Sequence, residues 1–164
     1  AYSVFSVSKM IVLNRISVFP KEINQLEKRL TRLAGKKYVF TSTNATASLH
    51  AAIAALASSA KPKVHVNGLV IPSNYVGAVK EHLPVTASLI DEQTFNFDLK
   101  LLNENLQPND IVIVTHYFGY TSHLDKLVEL VRSKGAKLIE DCSHCHGGYY
   151  KGYPLGSFGD ISVF

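Results

Sequence analysis

The stretch Ile139-Glu140-Asp141-Cys142-Ser143-His144-Cys145-His146-Gly147 gathers more reactive side chains than any other part of this sequence. Ala136-Lys137-Leu138-Ile139-Glu140 reads as a short buried strand, which places Asp141 where that strand opens into a loop. In open α/β sheets the edge outside the carboxyl ends of the strands is where ligands bind. No Lys or Arg lies within three residues of Asp141 in sequence. Its carboxylate is therefore placed to hold a cationic ring nitrogen, which is what pyridoxal 5'-phosphate (PLP) requires of its protein.

Two metal chemistries compete for the same residues. Cys142-Ser143-His144-Cys145-His146 matches the C-x-x-C-H pattern of c-type haem attachment. That attachment requires export, Met10 is the only methionine able to serve as axial ligand, and the motif follows a buried strand. A zinc site built from Cys142, Cys145, His144 and His146 would be cramped and lacks a second ligand pair at the usual spacing. The expectation is no metal. His116, at the end of another strand, reads as a ligand or as a satisfied core histidine, with the second reading favoured.

Two further segments could meet a ligand. Thr43-Asn44-Ala45-Thr46-Ala47-Ser48 lies between a strand and an Ala-rich helix. A helix N-terminus offers free N–H groups and a positive dipole end to a phosphate, although the same residue types serve most often as plain caps. Pro72-Ser73-Asn74-Tyr75 follows an apolar run, so Tyr75 could stack on a flat ring or simply pack at a domain edge.

The elements that must position these residues alternate between helix and strand, which predicts βαβ units and a mostly parallel sheet in a three-layer α/β/α arrangement. Ile23, Leu26, Leu30 and Leu33 share one helical face, and Gly35 ends that helix. Strands are predicted at Tyr38–Thr41, Gly68–Ile71 and Val85–Ile90, and a helix capped by Asn44 or Thr43 at residues 45–59. Asp98 caps a short helix to Asn105. Asp110–His116 is the strongest strand, a continuous apolar run of the kind covered on both faces. Leu124, Leu127, Val128 and Val131 mark an amphipathic helix ending near Gly135. Tyr149–Gly156 reads as a hairpin or a loop with turn glycines, and Asp160–Phe164 as a strand.

The 164 residues suit one domain, and 46% hydrophobic with 18% charged residues excludes a disordered or fibrous chain. A formal net charge of +4 with scattered Lys and Arg gives no basic stripe and no nucleic-acid motif. No apolar run reaches the ~18–20 residues needed to cross a membrane. Residues 1–10 lack the basic start and cleavage site of a secretory signal, and two cysteines three apart fit a reducing compartment. A cytoplasmic protein is expected.

Taken in order, these segments resemble the DegT-type nucleotide-sugar aminotransferases, PLP enzymes of the aspartate-aminotransferase fold (fold type I). The similarity runs from about Glu22 to Phe164. It is carried by 44–51, 70–75, 91–98, 115–119, 140–147 and 150–160, each unspecific alone but all in register. The resemblance implies that residues 22–164 are the N-terminal part of the PLP-binding large domain, behind a segment 1–21 of uncertain structure and without the small C-terminal domain. It implies that Thr46 and Ala47 meet the cofactor phosphate, Tyr75 stacks on the pyridine ring and Asp141 pairs with the ring nitrogen. His144 would contact the ring face or its hydroxyl edge, and His116 and His146 would be supportive. The implied activity moves an amino group from an amino acid such as glutamate to a nucleotide-linked keto-sugar, in a homodimer.

The chain also departs from that pattern. The family's Schiff-base lysine follows the strand matching Asp160–Phe164, and no lysine of this sequence stands there, Lys151 belonging to the preceding loop. The expectation is a fragment with no catalytic residue of its own, weak or absent PLP binding and no turnover. Two rivals on the same scaffold are a sugar dehydratase with a His in place of the lysine and a non-catalytic binding or regulatory module.

Overall fold

The computed structural model describes residues 20–57, 61–69, 71–121 and 123–164, so most of the segment 1–21 lies outside the described residues. Helix α1 (Pro20–Ala34) opens on a proline, which has no N–H to leave unsatisfied at a first turn. It ends where Gly35 takes φ +63°. Its predicted apolar stripe is present but thinly covered, Ile23 and Leu26 remaining 41% and 47% exposed. The strand predicted at Tyr38–Thr41 does not form. There the Thr41 N–H and hydroxyl go to the Glu27 carboxylate of α1, and Tyr38 and Phe40 stay in solvent, so no neighbouring strand is paired.

Helix α2 (Ala45–Leu56) starts from Asn44, whose extended backbone and side-chain oxygen cap the Ala47 N–H at 2.9 Å. Residues 58 and 59 of its predicted length lie outside the described residues. Strand β1 is Val64–Asn67, not Gly68–Ile71. All four of its residues are buried, whereas Leu69 and Ile71 are exposed. The apolar run that suggested a strand instead leads into helix α3 (Ser73–Lys80), with Pro72 at its N-cap. Gly77 of α3 lets the two helices meet, since a Cβ there would lie 2.7 Å from the His50 Cα.

Strand β2 (Val85–Ser88) follows, and Ile90 makes an isolated antiparallel bridge to Phe97. Asp98 caps α4 (Leu99–Asn105) through the N–H groups of Lys100 and Leu101, as expected. Strand β3 (Ile111–Thr115) is buried throughout. Helix α5 (Leu124–Ser133) follows, and Gly135 leaves it at φ +67°. Strand β4 (Lys137–Asp141) ends on Asp141 itself. A small hairpin, β5 (Tyr149–Tyr150) with β6 (Tyr153–Pro154), turns through Lys151 and Gly152, both at positive φ, as a tight two-residue hairpin requires. Strand β7 (Ile161–Val163) completes the main sheet.

That sheet is parallel throughout, in the order β2-β1-β3-β4-β7. Leu49, Ile53 and Ala78 of α2 and α3 pack on one face, over Val64, Val66, Ile113 and Ile139. Leu102, Leu124, Leu127 and Val131 of α4 and α5 pack on the other, over Val112, Val114 and Leu138. The architecture is the expected three-layer α/β/α one. Chain direction across the sheet reverses at β1 and β3: β1 leads outward to β2 on one side, and β3, β4 and β7 follow on the other. The carboxyl ends of β1 and β3 therefore frame the crevice where such sheets bind ligands.

Candidate functional site

Asp141 lies at the carboxyl edge of β4, in register with Thr115 at the end of β3. Its carboxylate is only 3% exposed and is held by neutral donors. Asn74 Nδ2 donates to Oδ2 at 3.0 Å, the Thr115 hydroxyl donates to the same oxygen at 3.4 Å, and the Ser143 N–H donates to Oδ1 at 3.1 Å. Asn74 is itself fixed. Its Nδ2 also donates to the Thr115 hydroxyl, and its Oδ1 accepts the Ile71 N–H. No Lys, Arg or His is paired with Asp141 among the described residues. A buried carboxylate with only neutral partners is a standing electrostatic cost, and a cationic ring N–H would relieve it.

The adjacent acid works on the opposite face, as alternation along a strand requires. Glu140 accepts from His116 Nε2 at 3.1 Å and from the backbone N–H groups of Gly156 at 2.9 Å, Phe158 at 2.8 Å and Gly159 at 2.6 Å. Burial pushes this carboxyl up, but the hydrogen bonds from His116, Gly159 and Gly156 outweigh it and hold the group below its ordinary value. His116 Nδ1 meets the Thr121 hydroxyl at 3.1 Å, so this histidine is a satisfied core group. His116, Glu140 and Cys142 bring ligand atoms within 4.8 Å of one another. The Glu140 oxygens and His116 nitrogens in that trio are already engaged, and this is a packing network.

The remaining predicted site residues lie on other segments. Thr46 is exposed and Ala47 half-buried in the first turn of α2, which packs on the same sheet face as α3. The Ala47 N–H is occupied by Asn44, which leaves the Thr46 hydroxyl and the other first-turn N–H groups for an anion. Tyr75 is half-buried in the first turn of α3 rather than in a loop. His144 is exposed, its ring 6.3 Å from that of Tyr117 and 5.7 Å from that of Phe118. No hydrogen bond or ring contact joins Thr46, Ala47, Tyr75 or His144 to Asp141 among the described residues. His146 is exposed beside Phe164.

Sequence reasoning missed Asn74, Thr115, Tyr117 and Phe118. The Tyr117 hydroxyl donates to the Leu69 carbonyl, tying the turn after β3 to the segment after β1. Burial raises the Tyr117 pKa, with the nearby Asp141 charge adding to it against the hydrogen bond with Thr115. Phe118 is 88% exposed on a backbone at φ +55°. Its ring stands beside that of His144 at the same edge. Asn74 carried one faint signal, an Asn in a Pro-Ser-Asn start, which also describes an ordinary helix cap.

Residues 6–164 match the sequence pattern of the DegT/DnrJ/EryC1/StrS aminotransferase family. That match reaches into the segment for which the sequence alone offered no structure. The chain is 29% identical over 145 residues to GDP-perosamine synthase of Escherichia coli O157:H7, covering 87% of this chain and 39% of that protein. Among solved structures it superposes on an aminotransferase from Psychrobacter cryohalolentis with a TM-score of 0.83 at 25% identity, covering 99% of this chain and 42% of the other. A sugar aminotransferase from Micromonospora echinospora gives 0.84 at 23% identity, covering 99% and 47%. The chain thus spans less than half the length of these relatives.

Proposed function

The chain belongs to the DegT/DnrJ/EryC1/StrS aminotransferase family, and from that premise we propose that it holds the cofactor-orienting part of a PLP-dependent aminotransferase acting on a nucleotide-linked keto-sugar, with an amino acid such as glutamate as donor. The observation that carries this reading is Asp141, a buried carboxylate with neutral donors only, at the carboxyl edge of a parallel sheet beside its switch point.

Asp141 keeps a proton on the ring nitrogen, and burial excludes the water that would weaken that pairing. Asn74 and Thr115 fix the Asp141 carboxylate that would pair with the ring nitrogen. The Thr46 hydroxyl and the open N–H groups of the first α2 turn hold the phosphate, helped by the helix dipole. Ala47 joins them when the Asn44 side chain yields its N–H. Tyr75 and His144 bound the ring. Bound PLP supplies an electron sink for charge developing on the substrate Cα.

None of the lysines in these 164 residues stands on β7. The Lys36 amine donates to the Gly159 carbonyl, just before β7, with burial lowering its pKa against the pull of Glu140 and Asp160. These residues by themselves therefore bind and orient without turnover. Among the described residues β2 and β7 are the outer strands of the sheet. The homodimer implied by the family is part of this reading; a monomer by light scattering would count against it.

Titration with PLP, followed by equilibrium dialysis, tests the proposal. Saturable binding that weakens at least tenfold in Asp141→Ala is expected, and equal binding by the two proteins refutes the assignment. Production of 2-oxoglutarate from glutamate and a nucleotide-linked keto-sugar, beyond that of free PLP, would refute the absence of turnover.

A further inference from the structure

The two cysteines of the chain are not used by the site described above, yet the fold brings them together. Cys142 immediately follows Asp141, and Cys145 immediately follows His144. The Cys145 N–H donates to the Cys142 carbonyl at 3.0 Å, closing a four-residue turn. A turn of this kind holds its end Cα atoms within about 7 Å, inside the span a disulfide can bridge. Both side chains point into the same core cluster, beside Leu124 and Leu155, and both are free thiols.

The pair is chemically unsymmetrical. The neighbouring Cys145 sulfur, together with burial, pushes the Cys142 thiol far up. The same proximity holds the Cys145 thiol below its ordinary value against the effect of burial. Cys145 is also the less enclosed, at 6% exposure against none for Cys142. Its neighbours His144, His146 and Gly147 are exposed. Across the edge stands Gly119, where even an added Cβ would lie 3.9 Å from the Cys145 Cβ. One thiol is thus poised to attack and the other to resolve.

We propose that Cys142 and Cys145 form a redox-active dithiol that closes to an intrachain disulfide on exchange with a low-molecular-weight disulfide such as oxidised glutathione. The Cys145 thiolate attacks one sulfur of the reagent, forming a mixed disulfide and expelling one thiolate. Cys142 then gives its proton to that released thiolate or to solvent. Its sulfur attacks the Cys145 sulfur, expelling the second thiolate. Two cysteine thiols are oxidised, one reagent disulfide is reduced to two thiols, and no other oxidant is needed. The bridge staples the turn that carries Asp141 and His144, so oxidation state and the geometry of this edge are coupled. The inference does not depend on PLP binding.

The test incubates the reduced chain with oxidised glutathione, quenches with acid and maps its peptides by mass. The expected result is a fragment in which Cys142 and Cys145 are joined, lighter by two hydrogens, with titratable thiols falling from two to none. Cys142→Ser is expected to stop at a stable glutathione adduct on Cys145, while Cys145→Ser leaves Cys142 unreacted over the same interval. Two persistent thiols in the wild-type chain overturn the proposal. So does a wild-type chain that accumulates only the glutathione adduct, or one that crosslinks between molecules on a non-reducing gel. The wild-type peptide map decides the matter even if a serine variant fails to fold.

Discussion

Replacing Glu140 by Gln tests the idea that one buried carboxylate pins the loop before β7 to the end of β4. The wild-type group accepts four hydrogen bonds, two on each oxygen. A carboxamide of the same shape has one accepting oxygen and one donating NH2. If its oxygen faces Phe158 and Gly159, its NH2 confronts His116 Nε2 and the Gly156 N–H. His116 can switch tautomer and accept, since the Thr121 hydroxyl can accept in turn. The Gly156 N–H cannot, and is left orphaned. The opposite rotamer orphans two N–H groups and is worse. One unsatisfied buried donor costs about 1–3 kcal/mol, and two surviving bonds lose their charge assistance. A loss of about 3 kcal/mol is expected for Glu140→Gln, a large fraction of the roughly 5–15 kcal/mol that holds a domain together.

The pH dependence follows from the direction of the Glu140 shift. Its folded pKa is depressed below 4.5, so its contribution is fully present above the unfolded value and is lost as pH falls through the folded value. The stability gap between wild type and Glu140→Gln should be constant around neutral pH and narrow on acidification below about 4.5. Urea unfolding followed by far-UV circular dichroism gives the gap, and amide exchange at Gly156, Phe158 and Gly159 localises it. A gap under about 1 kcal/mol at neutral pH, or unchanged protection of those three amides, would refute the pinning role.

Three further perturbations separate the site from its scaffold. Asn74→Asp sets a second carboxylate 3.0 Å from Asp141; two acids that close cannot both ionise freely, so its melting temperature should fall at neutral pH and recover on acidification. Gly77→Ala drives a Cβ to 2.7 Å from the His50 backbone, and a loss of about 1–3 kcal/mol in urea unfolding is expected as α2 and α3 are pushed apart. Asn44→Ala removes the oxygen that caps the Ala47 N–H. It should cost about 1 kcal/mol of stability yet preserve or tighten PLP affinity in dialysis, because the phosphate takes over a freed donor. Weaker PLP binding in Asn44→Ala would mean the α2 terminus is a cap and not a phosphate site.

What could be read ahead of the structure divides along a physical line. β3 was legible from its continuous apolar run, as burial on both faces requires, and β4 from the short aliphatic stretch that precedes Glu140. Asp141 was legible for the same reason, as the point where one run ends. β1 was misplaced because Val64-His65-Val66-Asn67 hides two polar residues in a buried strand, while the more apolar Leu69-Val70-Ile71 stretch drew the assignment. The strand expected at Tyr38–Thr41 had the right composition but no partner, and composition cannot supply one.

The groups that complete the site were not legible, because each acts across the fold. Asn74 reaches Asp141 over 67 residues of sequence, and Glu140 reaches the 156–159 loop over 16 to 19. Local patterns record which face a residue buries, not what it meets there. The dipeptide Glu140-Asp141 shows the consequence. The two acids are neighbours in sequence and in composition indistinguishable, yet strand alternation sends them to opposite faces. Glu140 finds one histidine and three N–H groups, and is spent on holding the chain. Asp141 finds two neutral side-chain donors on one oxygen and a single N–H on the other, with no cationic partner among the described residues. The chemical difference between an anchor and a site is the count of donors each face provides, and that count exists only once the sheet has formed.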